Sequence, residues 1–107
     1  MKFLFVYISM KVWLDDERKM PVGFDIHLRT AAGAIEYLKT GKVTLISLDH
    51  DLGEEKGTGY EVAKFIEEAA FNQELTRLSW EIHSANPVGR KNMEAALLNA
   101  NLYWNRH

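Results

Sequence analysis

Apolar, strand-forming runs alternate with segments of helical periodicity along this chain, and this alternation restricts its possible folds more than any other feature. The strand-like runs cover residues 11–15, 24–29, 43–49 and 78–84. Apolar residues at helical spacing follow Thr30, recur over residues 60–71, and begin again at Pro87 to continue to about residue 104. Strands that alternate with helices predict an α/β fold with a parallel sheet and right-handed crossovers.

The predicted architecture is a small three-layer α/β sandwich around a mostly parallel sheet of four or five strands. One connection is irregular, because the first strand leads to the second through a polar loop that contains Pro21 and Gly23. Either this first crossover is degenerate, or the two strands are antiparallel neighbours. We expect residues 1–107 to form one domain, since two cores in a chain of this length would each be too small.

The start of the chain has three interpretations. An apolar run from Phe3 to Met10 follows Lys2, as at the start of a signal peptide, but no small-residue cleavage site comes after it. The run is a further strand, or residues 1–9 are an extension that precedes a natural start at Met10. It is far shorter than the ~20 apolar residues of a membrane span, so we expect no membrane association.

The composition excludes several classes of protein. The chain has 13 basic and 15 acidic residues and a formal net charge of -2, which argues against a protein that coats duplex DNA. It has no cysteine, so disulfide scaffolds, thiolate zinc sites and cysteine nucleophiles are excluded. Hydrophobic residues make up 47% of the chain, which is enough for one core and excludes general disorder.

Polar, ionisable side chains follow the three most apolar strands. The three clusters are Asp15, Asp16, Glu17 and Arg18; Asp49, His50 and Asp51; and His83, Ser84, Ala85 and Asn86. Ligands of open α/β sheets bind at the carboxyl ends of the strands, so these clusters predict one shared site. Any single cluster is equally well explained as a solvated turn, but three at one rim favour a site.

Four carboxylates gathered at such a rim would repel one another. Three arrangements would offset that repulsion: a bound divalent cation, a proton shared between carboxylates, or a pairing with Arg18. We expect the cation, with Mg²⁺ preferred and Mn²⁺ as the alternative, because hard cations prefer carboxylate oxygen. The predicted metal ligands are Asp15, Asp16, Asp49 and Asp51.

Two histidines lie near the predicted rim, and histidine is the side chain best suited to proton transfer near neutral pH. We expect His83, with His50 as the second choice, to act as general acid or base. The alternative for His83 is a core imidazole that is hydrogen-bonded at the end of a strand. His27 and His107 have no comparable neighbours, and neither is given a role.

The start of the last helix predicts an anion site. Asn86 or Ser84 can cap this helix, Gly89 would let a ligand approach the backbone, and Arg90 can add a planar guanidinium. An ordinary capped helix is the alternative. At its other end Leu102, Tyr103 and Trp104 pack on the core or form a contact between two copies in a homodimer.

Three motifs in order resemble the cyclic-phosphate-processing receiver domain family, a divergent branch of response-regulator receivers. They are VWLDDER…MPVGF, ISLDHDLG…GTGYEVAKFI and IHSANPVGRKNM, and the resemblance covers residues 10–100. It implies a receiver-like (flavodoxin-like) fold and a soluble, cytoplasmic domain that binds or processes cyclic phosphates on nucleotides or RNA ends. Receiver residues have counterparts in Asp15, Asp16, Asp49 and Ser84. No fifth strand ending in lysine and no first crossover helix is found, which argues against a phosphorylation switch.

The residues and the resemblance together favour a metal-assisted phosphoesterase that acts on cyclic phosphates of nucleotides or RNA ends. The predicted catalytic residues are His83, His50, Asp49 and Asp51. The predicted ligand-binding residues are Arg18, Ser84, Asn86, Gly89 and Arg90. The alternatives are a non-hydrolytic module that retains a nucleotide signal, a receiver-type domain that accepts a phosphoryl group, and a purely structural interaction domain.

Overall fold

The computed structural model describes residues 9–106, which form four strands and three helices. The elements are β1 (Met10–Leu14), β2 (Ile26–Leu28), α1 (Ala31–Leu38), β3 (Val43–Leu48), α2 (Gly59–Phe71), β4 (Ser79–Ile82) and α3 (Pro87–Asn105). The strand order is β2-β1-β3-β4, and every neighbouring pair is parallel. The predicted α/β class with a parallel, receiver-like sheet is therefore confirmed. The interpretations offered for residues 1–8 lie outside the described part of the chain.

The connection between β1 and β2 is a loop without a helix, over residues 15–25. Because the two strands are parallel, the degenerate crossover is confirmed and the antiparallel alternative is wrong. The loop returns to β1 through two hydrogen bonds. The backbone N–H of Asp25 donates to the carbonyl of Lys11 at 2.8 Å, and the N–H of Lys11 donates to the Asp25 carboxylate at 2.8 Å. Phe24 also packs edge-on against the Trp13 ring, with the centroids 5.2 Å apart.

The hydrophobic core lies between one face of the sheet and all three helices. Alternate residues of a strand share a face, which places Val12 and Leu14 of β1 on the helical side. Leu38 of α1, Ile66 of α2 and Leu97 of α3 belong to the same buried cluster. The described residues thus supply the sheet and one layer of helices, and the second helical layer of the predicted sandwich is not among them.

Each helix begins at a polar side chain that accepts a hydrogen bond from the first turn. Thr30 accepts from the N–H of Gly33 before α1, and Thr58 accepts from the N–H of Glu61 before α2. Asn86 accepts from the N–H of Gly89 before α3, so Asn86 and not Ser84 is the cap. These bonds satisfy N–H groups that have no partner within the helix, and they fix where each helix begins.

The end of β3 and the beginning of α2 are in closer contact than the sequence suggested. Gly59 donates its N–H to the carbonyl of His50 at 2.9 Å. A Cβ atom at Gly59 would lie 1.9 Å from the carbonyl oxygen of Asp49. Only glycine permits this approach, which holds the turn after β3 against α2.

The carboxyl end of α3 contributes to the core. Tyr103 and Trp104 pack against the buried cluster, and the Trp104 indole N–H donates to the carbonyl of Leu75 at 2.8 Å. Leu102 is exposed, and the predicted contact between copies stays a prediction. Within residues 9–106, no helix has both the length and the apolar character that crossing a bilayer requires.

We expect Gly59→Ala to lower the free energy of unfolding by at least about 2 kcal/mol, because the new methyl group meets backbone and not a movable side chain. Denaturant unfolding measures the change. Gly41→Asn is the control, since nothing lies within 4 Å of a Cβ at Gly41 and asparagine tolerates its φ of +75°. An unchanged midpoint for Gly59→Ala would contradict the close approach.

Candidate functional site

The carboxyl ends of β1, β3 and β4 meet at a pocket of about 340 Å³. Its lining residues are Asp15, Asp16, Glu17, Arg18, Asp49, Asp51, Gly53 and Ala85. The four carboxylates that the sequence assigned to a shared rim therefore lie around one hollow. The turn after β4 contributes Ala85 to the same lining.

Asp15 is the most buried of these acids, with 1% of the residue exposed. The chain turns back after β1, so that the backbone N–H groups of Glu17 and Arg18 both donate to Asp15 Oδ1 at 2.8 Å. Burial alone would raise the pKa of Asp15. The hydrogen bonds from Arg18, Glu17 and His83 outweigh burial, and the pKa lies below its usual value. Asp15 is therefore ionised at neutral pH.

His83 is held on three sides. Its Nε2 lies 2.9 Å from Asp15 Oδ2, and its Nδ1 lies 2.8 Å from the hydroxyl oxygen of Ser47. The ring stacks on Trp13, with centroids 3.7 Å apart and planes 8° from parallel. Burial lowers the pKa of His83, and the neighbouring Asp15 only partly opposes this effect. A neutral His83 then donates from Nε2 to the ionised Asp15 and accepts at Nδ1 from Ser47.

Asp15, Asp49 and His83 form a compact group of potential metal ligands. One ligand atom from each lies within 4.8 Å of the other two. Two carboxylate oxygens and an imidazole nitrogen are a donor set that suits a divalent cation. The sequence assigned the two aspartates to a metal but gave His83 a role in proton transfer. In the structure this histidine belongs to the group of potential ligands.

His50, Asp51 and Asn86 form a second group beside the first. Asp51 Oδ1 lies 3.0 Å from His50 Nδ1, and the Asn86 amide donates to Asp51 Oδ2 at 3.3 Å. These hydrogen bonds from His50 and Asn86 lower the pKa of Asp51. A Cβ at Gly89 would lie 2.5 Å from His50 Cγ. The His50 imidazole therefore occupies the space next to Gly89, where a ligand was expected to approach the backbone.

Arg18 supplies the positive charge at the edge of the pocket. Its Nη1 donates to the carbonyl of His83 at 2.6 Å, and its Nε lies 3.9 Å from Asp15 Oδ2. Half of the side chain is exposed, so Arg18 is accessible to a bound anion. Asp16 lies beside it, and its carbonyl accepts from Arg29 at 3.0 Å.

Arg90 and Ser84 stabilise the turn between β4 and α3. Arg90 Nη1 donates to the carbonyls of Ile82 and Ser84 at 3.1 and 3.2 Å. The Ser84 hydroxyl accepts from the N–H of Asn86 at 3.1 Å. Of the predicted ligand-binding residues, only Arg18 is among those that line the pocket. The predicted site residues outside this lining are His50, His83, Ser84, Asn86, Gly89 and Arg90.

Sequence reasoning missed Ser47 and Gly59. The sequence signal for Ser47 is a polar residue within the apolar run of β3. In the structure Ser47 is fully buried, so its hydroxyl needs a partner inside the fold. Gly59 follows the capping Thr58, where any residue would begin a helix equally well. Its close approach to Asp49 follows only from the packing of α2 on β3.

A second hollow, of about 360 Å³, lies at the other end of α2 between the loop after this helix and Trp104. Glu74 is the one acidic residue among those that line it, and Arg77 lies over the Trp104 ring. It brings together no group of metal-ligating side chains among the described residues. The candidate group of metal-ligating side chains lies instead at the carboxyl ends of the strands.

Residues 10–99 match the cyclic-phosphate processing receiver domain family, and the chain belongs to that family. No curated protein and no solved structure matches the chain.

We expect the thermal stability to fall as the pH is lowered below the ordinary histidine pKa of about 6.5. The pKa of His83 is lower in the folded protein than in the unfolded chain. The contribution of His83 to folding stability is thus complete above its pKa in the unfolded chain. It is lost as the pH falls through its lower pKa in the folded protein. In His83→Gln the amide can donate to Asp15 without titrating, so the pH dependence should be shallower. Equal melting-temperature slopes for the two proteins would contradict a buried, neutral His83.

Proposed function

We propose that this member of the cyclic-phosphate processing receiver family is a metal-assisted phosphoesterase that acts on cyclic phosphates of nucleotides or RNA ends. The observation that carries the proposal is the approach of ligand atoms from Asp15, Asp49 and His83 to within 4.8 Å beside an open pocket. A solvated group of turn residues has no reason to bury one of its carboxylates, and Asp15 is 1% exposed.

The cation would be held by Asp15, Asp49 and His83, with Asp16 and Asp51 on the same pocket wall. Mg²⁺ and Mn²⁺ both accept carboxylate ligands, and the imidazole favours Mn²⁺ of the two. A divalent cation at this position supplies Lewis-acid polarisation of a phosphoryl oxygen. Asp15 is suited to hold it, because its low pKa keeps the carboxylate charged.

Arg18 would bind the phosphate. It lines the pocket and half of its side chain is exposed, so the guanidinium can turn toward a bound anion. Its present bonds to the carbonyl of His83 and to Asp15 keep it at the rim. A planar guanidinium can donate two parallel hydrogen bonds to phosphate oxygens.

Ring opening requires two proton movements. A water oxygen bonds to phosphorus and loses a proton, while one ester P–O bond breaks and its oxygen gains a proton. Both ring nitrogens of His83 are engaged, whereas His50 uses Nδ1 toward Asp51 and no described residue bonds its Nε2. His50 is oriented by Asp51, which lines the pocket, and is therefore the better candidate for the general base. His83 is the better candidate for a ligand.

A binding module that retains a cyclic nucleotide without hydrolysis is the second candidate. Asp15 accepts three hydrogen bonds and His83 engages both ring nitrogens. Side chains whose hydrogen-bonding positions are all occupied can bind a ligand without taking part in a reaction, which is what a binding module requires. Among the described residues no lysine lines the pocket, so a phosphoacceptor role for Asp49 is not proposed.

We expect purified protein with Mg²⁺ or Mn²⁺ to convert cyclic nucleoside monophosphates, or an RNA with a cyclic phosphate end, to linear monophosphates. Chelation of the cation should stop the reaction. Asp49→Asn should lower the rate by more than about 100-fold, since loss of a ligand exceeds the usual effect of losing its supporting residues. Product analysis by phosphorus NMR or mass spectrometry measures both.

Asp25→Asn is the matched control, because Asp25 is an exposed aspartate outside the pocket and asparagine can still accept from Lys11. Intact ligand bound and released without turnover would support the binding module instead. Absence of both binding and turnover with every cyclic phosphate tested would contradict both functions.

A further inference from the structure

We infer that Ser47 is a positioning residue for His83, and that its hydroxyl lets His83 Nε2 pass from Asp15 to a divalent cation without the ring moving. This inference rests on the proposed function, because it concerns how the site receives its cation. It assigns a role to a residue that contacts neither the pocket nor any ligand.

Ser47 lies in the middle of the sheet with 0% of its surface exposed. Its hydroxyl oxygen is 2.8 Å from His83 Nδ1, and no other described side chain or backbone group bonds it. The neighbouring strand residues Ile46 and Leu48 point into the helical core, so Ser47 points to the opposite face. A buried hydroxyl requires a hydrogen-bonding partner, and His83 is that partner.

The order Ser47, His83, Asp15 is not that of a hydrolytic triad. In a triad the serine faces Nε2 and the carboxylate faces Nδ1, and the serine must reach the substrate. Here the serine faces Nδ1, the carboxylate faces Nε2, and Ser47 is inaccessible. Ser47 therefore acts on the histidine and not on a substrate.

The imidazole cannot exchange its two nitrogens without losing its contacts. Trp13 stacks on one face at a centroid distance of 3.7 Å, which fixes the ring plane. Turning the ring over in that plane would separate Nδ1 from Ser47 and Nε2 from Asp15. Nε2 is thus the nitrogen that faces Asp15 as long as these contacts hold.

The proton on the ring, unlike the ring itself, can change position. Without a cation, Nε2 carries the proton and donates to Asp15, while Nδ1 accepts from the Ser47 hydroxyl. With a cation, the Nε2 lone pair must be free, so the proton resides on Nδ1 and donates to the Ser47 oxygen. A hydroxyl can be donor or acceptor by rotating its hydrogen, and the ring keeps one proton in both arrangements. An apolar residue at 47 would leave the buried Nδ1–H without a partner.

Two variants of nearly equal shape test this role. Ser47→Thr keeps the hydroxyl group, whereas Ser47→Val has a methyl group in its place. Calorimetric titration with Mn²⁺ should show Ser47→Val binding about 10–100-fold more weakly than Ser47→Thr, as for other residues that support a metal ligand. Melting temperatures show whether both variants are folded. Should the larger side chains prevent folding, Ser47→Ala is compared with the unaltered protein, and the same 10–100-fold difference is expected.

Nitrogen NMR of the imidazole provides a readout that a merely structural role would not change. At constant pH the metal-free protein should show the proton on His83 Nε2. Addition of Zn²⁺, which is diamagnetic and binds imidazole readily, should move it to Nδ1. Equal Mn²⁺ affinities for Ser47→Thr and Ser47→Val would overturn this inference but not the proposed function. A proton that stays on Nε2 with Zn²⁺ bound would have the same consequence. Failure of the unaltered protein to bind either cation would overturn the proposed function as well.

Discussion

The buried carboxylate of Asp15 is the constraint on which the arrangement of the site depends. An ionised carboxylate placed out of water is costly unless donors surround it. The protein meets this requirement with the N–H groups of Glu17 and Arg18 on one oxygen and with His83 on the other. The loop after β1 must therefore turn back on itself, and β4 must end where its histidine reaches Asp15. One charge thus joins two elements that are far apart in the chain.

The strand order explains how His83 and Asp15 meet. β3 lies between β1 and β4, so a side chain that follows β4 must cross β3 to reach the end of β1. The crossing brings His83 over Ser47 and near Asp49, which are contributed by β3 and the residue after it. The candidate metal ligands are consequently supplied by three adjacent strands, each with one residue at its carboxyl end.

The two faces of the sheet have separate tasks. Val12 and Leu14 face the helices and contribute to the core, while Trp13 between them faces the other way and stacks on His83. In β3, Ser47 likewise lies on the face of the sheet opposite to its apolar neighbours and contacts His83. Because strand residues alternate, the packing of the helices and the positioning of His83 do not compete for the same side chains. The indole N–H of Trp13 is buried and has no hydrogen-bonding partner among the described residues.

Local pattern was sufficient to predict the elements and the polar residues at their ends. Thr30 and Asn86 act as helix caps because capping depends only on a few adjacent residues. Which polar residues meet was only partly predictable, because contact depends on strand order and on packing between distant segments. Arg90 illustrates the limit, since its guanidinium was expected to bind phosphate but donates to the carbonyls at the end of β4. Phosphate oxygens and backbone carbonyls can both accept from the Arg90 guanidinium, and the sequence does not show which of them does so.

The lining of the pocket carries an excess of negative charge, which bears on the order in which the proposed ligands would bind. Its acidic lining residues are Asp15, Asp16, Glu17, Asp49 and Asp51, and Arg18 is the only basic one among the described residues. A cyclic phosphodiester is an anion, and a like-charged site repels it. Hydrogen bonds keep the pKa of Asp15 and of Asp51 low, so protonation does not relieve this repulsion near neutral pH. On the proposed function the cation must therefore bind first, because it reduces this repulsion and gives the phosphate a direct positive partner beside Arg18.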